Sequence, residues 1–278
     1  MRRAVWLVLV AILSVQFGAA VAKHLFDEVT PTTMSWLRLA SSSLILLAIA
    51  RPRLRGRTRA DWLVVSGYAV SLGTMNWAIY QSFARIPLGV AVTIEFIGPL
   101  TLAVLGSRKA RDLWWAALAG VGVALLGLEP GDITVAGVGF ALLAAAAWAA
   151  YILMSARTGR TWAGLDGLAV ANALCALLLT APALYDDAHV LGDGRILAIG
   201  AAVGLLSSVI PYSCELTALR TIPPRLFGIL MSLEPAAAAL AAALVLRELL
   251  TPSQLLAMAC VIAASIGATR GIGEPVAP

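Results

Sequence analysis

Charge, cysteine and histidine are all scarce in this chain, and each scarcity removes a class of function. Of 278 residues, 13% are Asp, Glu, Lys or Arg, three are Cys and two are His. So little charge leaves almost no polar helix faces, which a soluble α/β protein of this size would need. Cys175, Cys214 and Cys260 all fall inside apolar runs, with no CxxC and no Cys/His spacing. Neither a disulfide framework nor a metal site is therefore expected, and the three read as small packing residues. His24 and His189 stand apart in polar joints, so no His-Glu zinc pair forms. There is no paired-aspartate system and no glycine-rich phosphate loop before a helix, which argues against a membrane-embedded enzyme and an ATP-driven pump. No cofactor is expected.

Long apolar runs take the place of what is missing. Ten of them occupy residues 4–22, 33–50, 62–83, 88–106, 113–128, 137–155, 166–184, 196–215, 225–246 and 252–269. A hydrocarbon core of ~30 Å needs ~20 apolar residues in a helix, and most of these runs reach or approach that length. Composition agrees, at 60% hydrophobic residues and a mean hydropathy of +0.90. The period-two alternation of a β-barrel is absent. The expected fold is an all-α membrane protein with ten transmembrane helices. Arg2 and Arg3 precede the first run, but no small-residue cleavage site is followed by a soluble domain. That run is expected to be a retained helix and not a signal peptide.

Basic residues are placed unevenly between the runs. With the N-terminus inside, the inner joints hold 15 Lys and Arg, while only Lys23, Arg85, Arg195 and Arg247 lie outside. The positive-inside rule then predicts a multi-pass protein of the cytoplasmic (inner) membrane of a bacterium, with both termini cytoplasmic. The cluster Arg51, Arg53, Arg55, Arg57 and Arg59 reads as a topology signal against anionic membrane lipids. It is not read as a nucleic-acid site, so no nucleic-acid partner is expected. A homodimer is compatible with the sequence, which does not decide it.

The chain also repeats itself. Arg85-Ile86-Pro87 through Gly98-Pro99 resembles Thr221-Ile222-Pro223 through Glu234-Pro235, with both prolines 12 apart and an offset of 136 residues. Trp114 to Gly127 resembles Gln254 to Gly267 at an offset of 140. Two five-span units, 1–130 and 131–278, follow from this. An odd number of spans per unit forces them into opposite orientations, the arrangement in which secondary transporters hold a site at the repeat interface.

The segments YQSFARIPLGVAVTIEFIGP (80–99) and PYSCELTALRTIPPRLFGILMSLEP (211–235) resemble the EamA-type branch of the drug/metabolite transporter superfamily. The resemblance covers nearly the whole chain. It implies a ten-helix bundle of two inverted halves around a central cavity, exporting small amino acids such as threonine or homoserine. A broader metabolite or drug exporter is the alternative, with a passive channel behind it.

Ionisable side chains inside spans are rare and usually face a cavity or a partner. Four stand out: Arg38, Glu95, Glu215 and Glu234. Arg38 can also reach the surface along its own stem, and Glu215 can sit wetted at a span end. Glu95 and Glu234 have short stems and lie deep. Pro99 and Pro235 each remove a backbone bond in the same spans, freeing the carbonyls of Glu95 and Met231. Pro211 does the same for Ser207, beside Ser208, Tyr212 and Ser213. Irregular backbone at this depth is tolerated where it lines a cavity. In the third span Asn76 and Tyr80 share a face, next to Gln81.

The substrate-binding set expected is thus Arg38, Asn76, Tyr80, Gln81, Glu95, Tyr212, Glu215 and Glu234. A glutamate meets an ammonium group, Arg38 a carboxylate, and the amides and tyrosine a hydroxyl. A deep glutamate is also the natural proton carrier for antiport. Gly200-x-x-x-Gly204 and the alanine runs at 141–150 and 236–243 are expected to let helices approach closely. The tryptophans mostly sit toward span ends, except Trp77, which adjoins the polar face of the third span and is a candidate substrate contact.

Overall fold

Backbone amides find no water in a bilayer, which confines a spanning chain to helices or closed barrels. The computed structural model describes residues 2–105, 113–126, 133–219, 221–222 and 224–271, and no strand occurs among them. In chain order the α-helices are α1 (Arg2–His24), α2 (Pro31–Ala50), α3 (Arg59–Phe83), α4 (Leu88–Glu95), α5 (Ile97–Leu105) and α6 (Leu113–Leu126). They continue with α7 (Val135–Thr158), α8 (Asp166–Asp187), α9 (Gly194–Gly204), α10 (Ile210–Leu219), α11 (Pro224–Met231), α12 (Glu234–Ala241) and α13 (Pro252–Gly271).

Eight helical stretches are long and apolar enough to cross a membrane, some of them made of two consecutive helices. α3 has the length, at 25 residues, but mixes Ser71, Asn76, Gln81 and Ser82 into its apolar sequence. α6 is strongly apolar over 14 described residues.

Helix starts are set by local chemistry. Thr30 caps α2 by accepting from the Thr33 amide, with Pro31 at the first helical position. Thr58 and Asp61 form a reciprocal capping box on α3, and Thr134 caps α7. The Asp187 carboxylate, at the end of α8, accepts from the Thr30 amide at 2.8 Å and so ties α8 to the start of α2.

The prolines interrupt the helices where their missing N–H groups predict. α4 stops at Glu95 and α5 starts at Ile97, two residues before Pro99. α11 stops at Met231 and α12 starts at Glu234, one residue before Pro235. Before Pro211 the chain runs as a π-helix, Leu205–Val209. There the register decides which carbonyl is orphaned. In α geometry Pro211 deprives Ser207, whereas in π geometry it deprives Leu206. Both oxygens are satisfied by side chains from other helices: Ser14 Oγ donates to Leu206 O at 2.6 Å and Arg38 Nη2 to Ser207 O at 2.7 Å.

Small residues set the close contacts. A Cβ on Gly204 would stand 2.9 Å from the Arg38 carbonyl oxygen, and one on Gly200 would stand 2.8 Å from Leu37 Cβ, so α9 lies directly on α2. Gly98 meets the Ala145 backbone in the same way, seating α5 on α7. The alanines of both runs contribute buried faces, including Ala141, Ala144 and Ala145, and Ala237, Ala238 and Ala241.

One end of the bundle is packed solid. Leu25, Val29, Met34, Ile86, Leu88, Val190 and Ile196, from the joints there, merge with Tyr80, Phe83, Ala238 and Ala241 in one buried apolar cluster. The ion pair Lys23–Glu248, at 2.6 Å, crosses above it. Lys23 also donates to Ile86 O at 3.0 Å, and Glu248 accepts from the Leu88 amide at 3.0 Å. The end of α1, the start of α4 and the joint before α13 are thereby fastened together. The exposed pair Arg195–Glu28 lies at the same end and contributes little by itself.

At the opposite end, part of the basic 51–59 run is spent within the protein. Arg57 stacks over the Trp162 ring at 4.2 Å and donates to Thr161 O at 2.6 Å.

Candidate functional site

The helix breaks converge on one cavity of about 450 Å³. Six of the eight expected residues line it: Arg38, Asn76, Glu95, Tyr212, Glu215 and Glu234. Pro99, Pro211 and Met231 line it as well, so all three proline interruptions face the same space. That is where membrane proteins tolerate irregular backbone. From the solid end the cavity extends along the bundle axis to Phe227 and Thr269, toward the end where α13 finishes.

Arg38 does not escape to the surface. It is 7% exposed, and its Nε and Nη2 donate to Ser208 Oγ at 3.3 Å and Ser207 O at 2.7 Å. The carbonyl that Pro211 strips of its α-helical donor is thus the anchor of the arginine. Its guanidinium lies 5.8 Å from the centre of the Tyr80 ring, a cation–π distance. Arg38 also lines the cavity.

The glutamates are held by helix ends. Glu95 closes α4 and Glu234 opens α12. Glu234 therefore sits at the positive end of a helix dipole and Glu95 at a negative end. Glu234 is 7% exposed, and among the described residues neither it nor Glu95 nor Glu215 makes an ion pair or hydrogen bond. Three carboxyls and one guanidinium in one cavity form an amphoteric lining, able to bind a cationic and an anionic group at once.

Tyr80 and Gln81 stand elsewhere. Tyr80 is fully buried against Phe26 and Phe83 in the solid end, outside the cavity lining, and supports Arg38 from beneath. Gln81 spends its amide on Thr32 Oγ1 at 3.0 Å and on Arg85 Nη1 at 2.8 Å. Trp77 also turns to Thr32, donating from Nε1 at 3.1 Å, and packs edge-on to Phe140. The cause is rotation around α3. Asn76, Ile79 and Phe83 hold the cavity face of α3, whereas Trp77 and Gln81 turn to Thr32 and Tyr80 packs between Phe26 and Phe83.

Trp148, Tyr151 and Gln16 are lining residues outside the expected set. Trp148, which the sequence places toward a span end, forms a cavity wall, T-shaped to Phe96 at 5.6 Å. Tyr151 lies one helical turn further along α7. Gln16 lines the cavity from α1 and is 5% exposed. Its signal in the sequence is a lone amide in an uncharged apolar run.

Comparison with known proteins assigns the family. The model of the EamA-like transporter family matches residues 2–128 and again 135–270. The threonine/homoserine exporter RhtA of Escherichia coli (strain K12) is 40% identical over 272 residues, covering 95% of this chain and 92% of that protein. RhtA of Salmonella typhimurium (strain LT2) is 39% identical over 275 residues, covering 96% and 93%. The uncharacterized transporter YwfM of Bacillus subtilis (strain 168) is 29% identical over 245 residues, covering 84% and 82%. A solved crystal structure shares the fold at a TM-score of 0.64 and 19% identity, over 93% of this chain and 94% of that one. A cavity lined by broken helices in a multi-pass helical membrane protein is thus joined to a family match over nearly all of the sequence: the chain belongs to the EamA-like transporter family.

Proposed function

We propose that this protein exports small amino acids such as threonine and homoserine by alternating access, coupled to proton entry. The observation that carries the reading is the amphoteric cavity, in a chain 40% identical along its length to a threonine/homoserine exporter. A zwitterion presents an ammonium and a carboxylate a few ångströms apart. Glu95 or Glu234 receives the ammonium, and Arg38 the carboxylate. Tyr212 and Glu215 lie along the entry path from the cytoplasm, and Asn76 offers a further polar contact. Tyr80 and Gln81 act as supports, behind Arg38 and at the solid end.

In this reading α3 and α6 also cross the bilayer, making ten spans in two inverted halves, 1–130 and 131–278. Support comes from the two separate stretches that the family model matches. It also comes from the broken helices. The start of α4 meets the joint that follows α12, through Leu88 and Glu248, and Gly89 touches Ala239, so α4 and α12 run in opposite directions. The 15-to-four distribution of basic residues supports a reading with both termini in the cytoplasm and the protein in the inner membrane. The solid end is then outside, and the cavity belongs to an inward-facing state. A proton carried inward on a deep carboxyl supplies ~2.3 kcal/mol per 100 mV for export.

The test is efflux of threonine and homoserine from cells overproducing the protein, against a panel of amino acids and cationic drugs. Selective efflux of the hydroxy amino acids against a gradient supports the reading. Drug efflux without amino-acid efflux supports the second reading, a broader exporter, which the cavity volume favours because 450 Å³ exceeds what threonine fills. Efflux that never runs against a gradient indicates a channel.

A further inference from the structure

Gln16 has a property that no other role in the fold accounts for. Its side chain is 95% removed from solvent, it lines the cavity, and its amide makes no hydrogen bond to any described residue. The opposite face of the same helix is fully engaged. Ser14 donates to Leu206 O, and a Cβ on Gly18 would collide with Ser207, so α1 is clamped to the π-helical segment by residues two before and two after Gln16. At ~100° per residue those neighbours point away from it, which leaves the Gln16 amide aimed into the open space. Within the cavity the amide stays open to whatever enters, and a substrate that cannot bond it leaves it unpaired at ~1–3 kcal/mol once water is excluded.

The other polar groups of the cavity limit what that is. Arg38 and the glutamates are ionisable and suit the two ends of a zwitterion. Asn76 has spent one Nδ2 hydrogen on Leu72 O at 2.8 Å, Ser265 and Thr269 bond to Ser232 and to the Ser265 carbonyl, the Tyr151 and Tyr212 hydroxyls interact with each other, and the Ser207 hydroxyl is turned against Gly18 of α1. A neutral amide with one acceptor and one donor group left over complements a neutral group that both donates and accepts, and a hydroxyl is the smallest such group. Gln81, the amide that the sequence suggests for this task, is committed to Thr32 and Arg85.

We propose that Gln16 is the specificity-determining residue that reads the side-chain hydroxyl of the exported amino acid. The proposal rests on the amino-acid-export reading above. Its consequence is discrimination between hydroxylated substrates and aliphatic ones of equal size. A site built to bond a hydroxyl loses to the analogue that lacks it, because its own polar group is left unpaired.

The experiment is a competition. Purified protein in proteoliposomes is given threonine and valine, then homoserine and norvaline, and the ratio of kcat/KM within each pair is measured for wild type, Gln16→Leu and Gln16→Asn. A ratio within one preparation does not depend on how much protein folds or inserts. Wild type is expected to favour the hydroxylated member. Gln16→Leu is expected to lower that preference by ~10-fold, the worth of one neutral hydrogen bond, while aliphatic transport is kept or raised. Gln16→Asn, which keeps the amide on a shorter stem, is expected to fall between. Equal ratios in wild type and Gln16→Leu, with wild type discriminating, overturn the proposal and leave the export reading standing. A wild-type protein that moves none of the four amino acids overturns the export reading itself.

Discussion

Replacing Arg38 with methionine separates the structural role of this side chain from its role toward substrate. Methionine keeps an unbranched apolar stem that ends near the position of Nε, and it donates nothing. Two effects follow from the contacts. First, Ser207 O loses the 2.7 Å bond from Nη2, and Pro211 has no N–H to replace it. A buried carbonyl left without a donor costs ~1–3 kcal/mol, and the bond from Nε to Ser208 Oγ at 3.3 Å is lost besides. The protein should therefore unfold at a lower temperature in detergent, yet still reach the membrane. Second, the substrate carboxylate loses its cationic partner. A charge-assisted hydrogen bond is worth ~1.5–3 kcal/mol, so KM for threonine should rise ~10- to 100-fold. Threonine methyl ester, which has no carboxylate, isolates this second effect. Arg38→Met should not worsen transport of the ester further, whereas Arg38→Lys should recover part of the affinity for threonine by keeping the charge. Initial rates in proteoliposomes across substrate concentration decide the matter. An unchanged KM for threonine in a correctly inserted Arg38→Met protein removes Arg38 from the binding site and leaves it a helix-to-helix brace.

Three further outcomes are expected. Glu234→Gln, at the break before Pro235, should abolish proton-coupled accumulation while membrane levels stay normal; coupled efflux at the wild-type rate removes this carboxyl from the mechanism. Glu248→Gln removes the partly buried pair with Lys23 that fastens the solid end. If that loosens closure by ~1 kcal/mol, a cysteine at Ala19 in the cavity should be labelled ~5-fold faster by an impermeant thiol reagent from outside. Unchanged labelling shows that the ion pair does not hold that end shut. Gly204→Leu forces a side chain against the Arg38 carbonyl, which an ideal Cβ would approach to 2.9 Å. A loss of ~1–3 kcal/mol in stability should appear as a lower Tm, and a wild-type Tm refutes the close α2–α9 contact.

Local chemistry was readable directly from the residues. Apolar run length gives helices because the bilayer offers a backbone no other partner. Pro99, Pro211 and Pro235 interrupt those helices within a few residues of where the missing N–H requires. Gly200 and Gly204 mark a close helix contact for an equally local reason, since nothing larger leaves room. Even the link between Pro211 and Arg38 was half visible, as an orphaned carbonyl beside a serine pair.

Facing was not readable. In water an amphipathic helix reveals its buried side by contrast with its polar one, but in lipid both sides are apolar and the contrast disappears. Tyr80 and Gln81 follow Asn76 within five residues and carry the same chemical promise, yet only Asn76 reaches the cavity. Trp148 has the look of an interfacial anchor and is a cavity wall. Gln16 sits in an uncharged apolar run and ends in the lining of the site. Those assignments depend on the rotation of each helix about its axis. Packing against partners tens to hundreds of residues away sets that rotation, through contacts such as Gly18 with Ser207 and Gly204 with Arg38, and no local pattern encodes them.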